Sequence, residues 1–153
     1  MPAVMSDRIE KQIVVRAPRS RVWRALTNSQ EFGTWFGVRP DAPFEPGARS
    51  TGAVTHKGYE HLTWEVTIVA MEPEHRFSWR WHPGEVSAKD VPDEPTTLVV
   101  FELEDVEGGT LVKVIEKGFD AIPATRRADA FRSNDGGWGE QMEAIRRHVE
   151  AAS

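Results

Sequence analysis

Glu116 is the residue whose type and position best suit it to acid–base chemistry. It alternates with Val112 and Val114 in a predicted strand, so the three side chains share one face, which should look toward a C-terminal helix. A carboxylate on such an apolar face can act as a general base or anchor a ligand by hydrogen bonds. The structural alternative is that Glu116 lies near the solvent-exposed end of its strand and forms an ion pair with an arginine such as Arg132.

Large aromatic side chains form the second candidate set. Trp64 lies in one alternating segment, and Phe77, Trp79 and Trp81 alternate in the next, so these rings fall on the inward faces of two neighbouring predicted strands. Rings placed this way form either a pocket for a flat or apolar ligand or a densely packed core. We expect a pocket, and its predicted ligand-binding residues are Trp35, Trp64, Phe77, Trp79, Trp81, Val112, Val114, Glu116, Trp138 and Met142.

The other reactive residue types form no recognised motif. The chain has no cysteine, and none of its five histidines has a second histidine four residues away, as a helical zinc site would require. No Gly-x-Ser-x-Gly nucleophile motif is present, and the glycines at 136, 137 and 139 are not followed by the Lys-Ser or Lys-Thr of a phosphate-binding loop. We therefore expect no metal and no cofactor, and we assign no catalytic residue.

The hydrophobic pattern predicts the elements that must position these residues. Helical spacing indicates two short helices after the first strand, and Trp138, Met142, Ile145 and Val149 recur at the intervals of a long C-terminal helix. Consecutive strands joined by short turns make an antiparallel sheet, and a helix covering one face gives an α+β fold. The predicted strands lie at about residues 9–15, 50–55, 61–68, 75–81, 96–104 and 110–117.

Two segments interrupt this pattern. Gly136, Gly137 and Gly139 each disfavour a helix by about 1 kcal/mol relative to alanine. We therefore expect either a break in the C-terminal helix or a close approach of its backbone to the sheet. Residues 83–95 contain three prolines and several acidic residues, and a loop of this length is often a lid over a binding site.

Length and composition limit the classes of protein to which the chain can belong. The 153 residues carry a formal net charge of −5, have no clustered basic face and contain no long apolar run. These features argue against nucleic-acid binding and against a membrane-spanning helix. The absence of cysteine fits a cytoplasmic location. We predict a flexible N-terminal leader over residues 1–7 and a single domain over residues 8–151.

A series of short motifs, taken in order, carries a family resemblance. The motifs are Ala17-Pro18, Val22-Trp23-Arg24-Ala25-Leu26-Thr27, Trp35-Phe36-Gly37, Glu45-Pro46-Gly47, Glu72-Pro73, Arg76-Phe77, Thr97 to Leu103, Gly108-Gly109-Thr110, Gly118-Phe119 and Gly137-Trp138. Over roughly residues 8–150 the chain resembles the START-like superfamily, and within it the small bacterial members of the group named after the activator of heat-shock protein 90 ATPase. The resemblance implies a helix-grip fold, with a curved antiparallel sheet of about six or seven strands around the C-terminal helix and an internal cavity.

This fold serves many functions, so the resemblance leaves three hypotheses. The leading hypothesis is binding of a hydrophobic or aromatic small molecule in the cavity, by a carrier or sensor rather than an enzyme. The first alternative is a cyclase- or hydrolase-like enzyme that uses Glu116, alone or together with His75, for acid–base chemistry, and it requires these groups to converge in the cavity. The second is a stress-related regulator of a chaperone ATPase. A homodimer is compatible with all three.

Overall fold

The structure, a computed structural model of the protein, describes residues 7–151. The predicted leader therefore lies outside the described residues except for Asp7. The Asp7 carboxylate accepts a hydrogen bond from the backbone N–H of Asp120 at 2.8 Å. This contact joins the beginning of the described chain to the segment that precedes the C-terminal helix.

Seven strands and three α-helices follow one another along residues 7–151. The strands are β1 (Arg8–Val15), β2 (Val38–Pro40), β3 (Arg49–Val54), β4 (Thr63–Glu72), β5 (Arg76–Trp81), β6 (Thr97–Val106) and β7 (Gly109–Lys117). The helices are α1 (Arg19–Thr27), α2 (Ser29–Phe36) and α3 (Ala124–Ala151), and short 3-10 turns lie at Ala88–Asp90 and Phe119–Ala121.

All seven strands belong to one antiparallel sheet in the order β1-β7-β6-β5-β4-β3-β2. Strands β2 to β7 pair with their neighbours in sequence, and β1 closes the far edge by pairing with β7, where Ile9 lies opposite Glu116. The curved sheet and the long α3 confirm the predicted α+β, helix-grip arrangement.

The hydrophobic periodicities identify the buried faces correctly. On β4, Trp64, Val66 and Ile68 are buried, as the alternation predicts. The helical stripe of Trp138, Met142, Ile145 and Val149 is buried along α3. The core therefore lies between the inward face of the sheet and one side of this helix.

The predictions for the glycines of α3 were wrong. The helix runs from Ala124 to Ala151 without a break. A Cβ atom added at Gly136, Gly137 or Gly139 would meet no atom within 4 Å, so the backbone does not approach the sheet closely there either. Burial of the Trp138 stripe stabilises the helix more than the glycines disfavour it, since most helical stability in proteins comes from packing.

Strand β2 is an element that the sequence pattern did not predict. Its three residues are too short to show alternation, and they form a strand because they pair with β3, with Val38 opposite Val54. Helix α2 packs closely beside it: a Cβ atom at Gly33 would lie 2.3 Å from the Val38 carbonyl oxygen. Gly37, with a φ of 93°, ends α2 in the left-handed conformation that glycine favours.

Glu31 holds α2 against both other helices. Its carboxylate lies 2.9 Å from Nε2 of His148 on α3 and 2.5 Å from Nη1 of Arg21 on α1. Burial raises the pKa of Glu31, but the hydrogen bonds from His148 and Arg21 outweigh burial and hold this pKa below its ordinary value. The cluster therefore fixes the first turn of α2 against α1 and α3.

The continuity of α3 can be tested with two glycine substitutions. We expect Gly139→Ala to raise the free energy of unfolding by about 1 kcal/mol, because the new methyl group meets no atom and alanine favours the helix. The control, Gly33→Ala, should lower it by about 1–3 kcal/mol, because its methyl group would collide with backbone. Urea denaturation measures both changes, and a destabilised Gly139→Ala would argue against a continuous helix.

Candidate functional site

The Glu116 side chain is fully buried and accepts hydrogen bonds from four other side chains. Oε1 accepts from Trp138 Nε1 at 2.8 Å and from Asn134 Nδ2 at 2.9 Å. Oε2 accepts from Trp81 Nε1 at 2.8 Å, from Thr97 Oγ1 at 2.5 Å and from Asn134 Nδ2 at 3.0 Å. We call these five residues the carboxylate network.

The four donors come from three elements that meet at one end of the sheet. Trp81 is the last residue of β5 and lies directly opposite Thr97, the first residue of β6. Thr97 lies two residues before Val99, the partner of Glu116 in β7, so Thr97 and Glu116 share a face. Asn134 and Trp138 are four residues apart on α3 and therefore project from the same side of the helix.

The carboxylate network leaves Glu116 little capacity to act as a base. Indole and amide nitrogens can only donate, so both carboxylate oxygens are occupied as acceptors. To take a proton from a substrate, Glu116 would first have to lose one of these donors. The network is therefore suited to hold the surrounding rings rather than to transfer protons.

The ion pair between Glu116 and Arg132 that the sequence offered as an alternative does not form. Arg132 pairs instead with Asp129, at 3.5 Å. No lysine, arginine or histidine of residues 7–151 forms an ion pair with Glu116. The donors of the network are thus all neutral groups.

A cavity of about 610 Å³ lies beside the carboxylate network. Its walls come from the end of α2, the middle of α3, parts of β2 to β5 and the loops that follow β3 and β5. Trp81, Asn134 and Trp138 belong both to the network and to the cavity wall, so Glu116 lies directly behind that wall. This volume is sufficient for a small organic molecule.

The structure separates the predicted ligand-binding residues into two groups. Trp64, Trp81 and Trp138 line the cavity. The others are buried in the core and do not line it; they are Trp35, Phe77, Trp79, Val112, Val114, Glu116 and Met142. The rings of both groups are nevertheless in contact: the centroids of Trp79 and Trp81 are 5.5 Å apart, and those of Trp79 and Trp64 are 5.7 Å apart.

Phe36 and Asn134 are among the residues of the cavity wall that sequence reasoning missed. The Phe36 ring lies 6.2 Å from that of Trp81 and 6.0 Å from that of Trp138. Phe36 follows Trp35 at the end of a short helix, where periodicity does not say which ring faces inward. For Asn134 a signal existed, because it precedes Trp138 by four residues and so shares its helical face.

The segment predicted as a lid, residues 83–95, borders the cavity and is held in place by several polar contacts. The Gly84 backbone N–H donates to Asn134 Oδ1 at 3.1 Å, and Ser87 Oγ accepts from the backbone N–H of Thr63 at 3.1 Å. Glu94 pairs with Arg126 at 2.8 Å. Asn134 thus links this loop to the carboxylate network.

Tyr59 and Glu85 meet at the cavity from the loops that follow β3 and β5. Both residues are exposed and belong to the cavity wall. A side-chain hydrogen bond with the Glu85 carboxylate raises the pKa of Tyr59 above its ordinary value, because the nearby negative charge disfavours a phenolate. This contact connects the two loops through their side chains.

The second acid–base candidate, His75, does not meet Glu116. His75 is exposed in the turn between β4 and β5, and its carbonyl oxygen accepts from the backbone N–H of Leu103. Leu103 lies four residues along β6 from Val99, the partner of Glu116. At about 3.3 Å per residue the two groups are roughly 13 Å apart. The convergence that the enzyme hypothesis requires is therefore absent.

Two kinds of feature are absent from the described residues. No group of three or more histidine, cysteine, aspartate or glutamate side chains in residues 7–151 is arranged to hold a metal ion. None of the helices within the same range combines the length and the apolar character needed to cross a membrane.

The family model for the Activator of Hsp90 ATPase homolog 1-like protein matches residues 16–150. The matched region contains all five residues of the carboxylate network and the whole cavity wall. None of the curated proteins matches the chain.

Several solved structures share the fold. A protein from Mesorhizobium loti, MLL2253, is 21% identical with a TM-score of 0.75, over 95% of this chain and 98% of that one. The Aha1 dimer from Colwellia psychrerythraea, solved in solution, is 17% identical with a TM-score of 0.70, over 94% and 96%. DynU16, from the dynemicin biosynthetic locus, is 20% identical with a TM-score of 0.73, over 97% and 49%, so this chain spans about half its length. At these identities the likeness shows the fold alone.

The structural role of the carboxylate network can be tested with Glu116→Gln. The amide group would place N–H donors opposite the N–H groups of Trp81, Trp138 and Asn134, leaving buried donors unpaired. We therefore expect the free energy of unfolding to fall by about 3 kcal/mol in urea denaturation. Glu104→Gln, at an exposed position on β6, removes the same charge and should change it by less than about 0.5 kcal/mol. Equal stability of the two variants would contradict the proposed role of the network.

Proposed function

This chain belongs to the Activator of Hsp90 ATPase homolog 1-like family, and we propose that it binds a hydrophobic or aromatic small molecule in the cavity beside Glu116. The proposal is for a carrier or sensor rather than an enzyme. The ligand would contact residues from the end of the sheet and residues from the middle of α3.

The observation that carries the proposal is the arrangement of Trp81 and Trp138. Their rings lie 5.8 Å apart at an angle of 33°, and the N–H group of each donates to Glu116. Side chains held in this way lose little conformational freedom when a ligand binds, which favours affinity. Phe36 and Trp64 extend the aromatic surface on the same wall.

Glu116 itself favours binding over acid–base catalysis. A general base needs a free acceptor within reach of the proton that it removes. Both oxygens of Glu116 already accept from neutral donors, and His75 lies at the other end of the strands. In our proposal Glu116 positions the wall of the site and does not contact the ligand.

Regulation of a chaperone ATPase has less support in this chain. A docking surface of this kind would need a contiguous exposed apolar patch of several hundred Å². The exposed large hydrophobic side chains within residues 7–151 are Val14, Tyr59 and Val69, which lie on β1, on a loop and on β4. The proposal therefore rests on the cavity rather than on the outer surface.

Two further expectations accompany this proposal. The relative from Colwellia psychrerythraea is a dimer, and we keep a homodimer as a proposal for this chain. The absence of cysteine continues to favour a cytoplasmic location.

A side chain added at Gly137 should block the cavity without disturbing the fold. Gly137 lines the cavity, and a Cβ atom there meets nothing within 4 Å. We expect Gly137→Leu to weaken binding of the neutral fluorophore N-phenyl-1-naphthylamine by at least about tenfold, because it fills space that the ligand would occupy. Its stability should equal or exceed that of the wild type, since leucine favours the helix by close to 1 kcal/mol relative to glycine.

The matched control is Gly139→Leu, two residues along the same helix and outside the cavity wall. It should bind the fluorophore as the wild type does. Fluorescence titration measures the affinities, and urea denaturation measures the stabilities. If Gly137→Leu binds as tightly as Gly139→Leu, the ligand does not occupy this cavity.

A further inference from the structure

We propose that the cavity selects organic cations, meaning molecules with an aromatic or apolar body and a positive charge. This inference rests on the proposed function, because it assigns the ligand class of the same cavity. The cavity is the site, and the charges in and behind its wall determine which ligand it takes.

Charged side chains of the cavity wall are predominantly acidic. The wall contains four carboxylates and one guanidinium, a formal charge of −3 with its histidines neutral. The carboxylates are Glu65, Glu85, Asp129 and Glu140, the guanidinium is that of Arg132, and the histidines are His56 and His82. A concave wall of one sign concentrates ligands of the opposite sign.

Two of the wall carboxylates are paired with arginines. Arg132 lies 3.5 Å from Asp129, and Arg49, which is not part of the wall, lies 3.5 Å from Glu65. Glu85 meets the neutral hydroxyl of Tyr59. No ion pair within residues 7–151 involves Glu85 or Glu140. Two wall carboxylates thus remain to face a cationic ligand.

A fifth carboxylate acts from behind the wall and is independent of these exposed acids. Glu116 is fully buried, and its four donors are neutral groups that solvate a carboxylate without cancelling its charge. In the low-dielectric interior the field of such a charge is screened less than at the surface. Trp81, Asn134 and Trp138 contact Glu116 and also line the cavity, so they connect the buried charge to the cavity wall.

The aromatic wall supports the same selection. Trp81 and Trp138 direct the positive N–H edge of each indole toward Glu116, and both residues line the cavity. The faces of tryptophan rings attract cations within about 6 Å of the ring centroid. An anionic ligand would meet both the electron-rich rings and the excess of carboxylates.

A matched set of three naphthalene compounds tests the inference by isothermal titration calorimetry at pH 7. The compounds are 1-naphthylmethylamine, which is a cation at this pH, the neutral 1-naphthalenemethanol and the anion 1-naphthaleneacetate. We expect the cation to bind at least about tenfold more tightly than the alcohol and the anion to bind most weakly. High salt should reduce the differences in affinity among the three compounds, because dissolved ions screen the charges of solvent-exposed carboxylates.

Two variants assign the preference to the cavity rather than to net charge. The double variant Glu85→Gln/Glu140→Gln should reduce the preference for the cation over the alcohol by at least about threefold. The control, Glu104→Gln/Glu107→Gln, removes the same charge from exposed positions outside the wall and should leave the preference unchanged.

The outcomes separate this inference from the proposed function. If the alcohol or the anion binds as tightly as the cation, the cavity binds ligands but the charge selection is overturned. An unchanged preference in the Glu85→Gln/Glu140→Gln variant, or an equal loss in the control variant, would also overturn it. If none of the three compounds binds the wild type, the proposed function fails and the inference fails with it.

Discussion

The buried carboxylate of Glu116 is the constraint on which the arrangement of the sheet end, α3 and the cavity depends. Removing a carboxylate from water costs several kcal/mol unless its hydrogen bonds are replaced. Here the replacements come from β5, β6 and α3, so the carboxylate is satisfied only when all three elements occupy their native positions. A buried polar group that is fully satisfied in only one arrangement favours that arrangement over alternatives.

The cavity follows from this constraint. Trp81 and Trp138 turn their N–H groups toward Glu116, and Asn134 bridges Glu116 and the loop after β5. Gly136 and Gly137 of α3 line the cavity and leave space that larger side chains would otherwise fill. A rigid aromatic wall therefore faces an open volume, which is the arrangement that small-molecule sites require.

The sequence predicted the features that arise from repeated local patterns. Alternation placed Glu116 with Val112 and Val114 on a buried face, and helical spacing placed Trp138 on the inner side of α3. It did not predict β2, because three residues show no alternation and form a strand only through pairing with β3.

The prediction of the site was less complete, because a cavity depends on packing between distant elements. Alternation cannot tell Trp79, which is enclosed by other rings, from Trp81, which reaches the cavity two residues later at the end of β5. Nor can the sequence show that two indoles and an amide converge on one carboxylate, since these residues lie up to 57 positions apart. The glycines of α3 were misread for the same reason: their helix is stabilised by the burial of neighbouring side chains.

Hydrogen exchange of the tryptophan indole N–H groups, followed by NMR on ¹⁵N-labelled protein, tests the central claim most directly. If Glu116 holds both rings, the indole protons of Trp81 and Trp138 will be strongly protected in D₂O, although Trp81 lies at the cavity wall and is only partly buried. Exchange of these two protons as fast as that of a freely exposed indole would show that the carboxylate does not hold the rings, and would contradict the account.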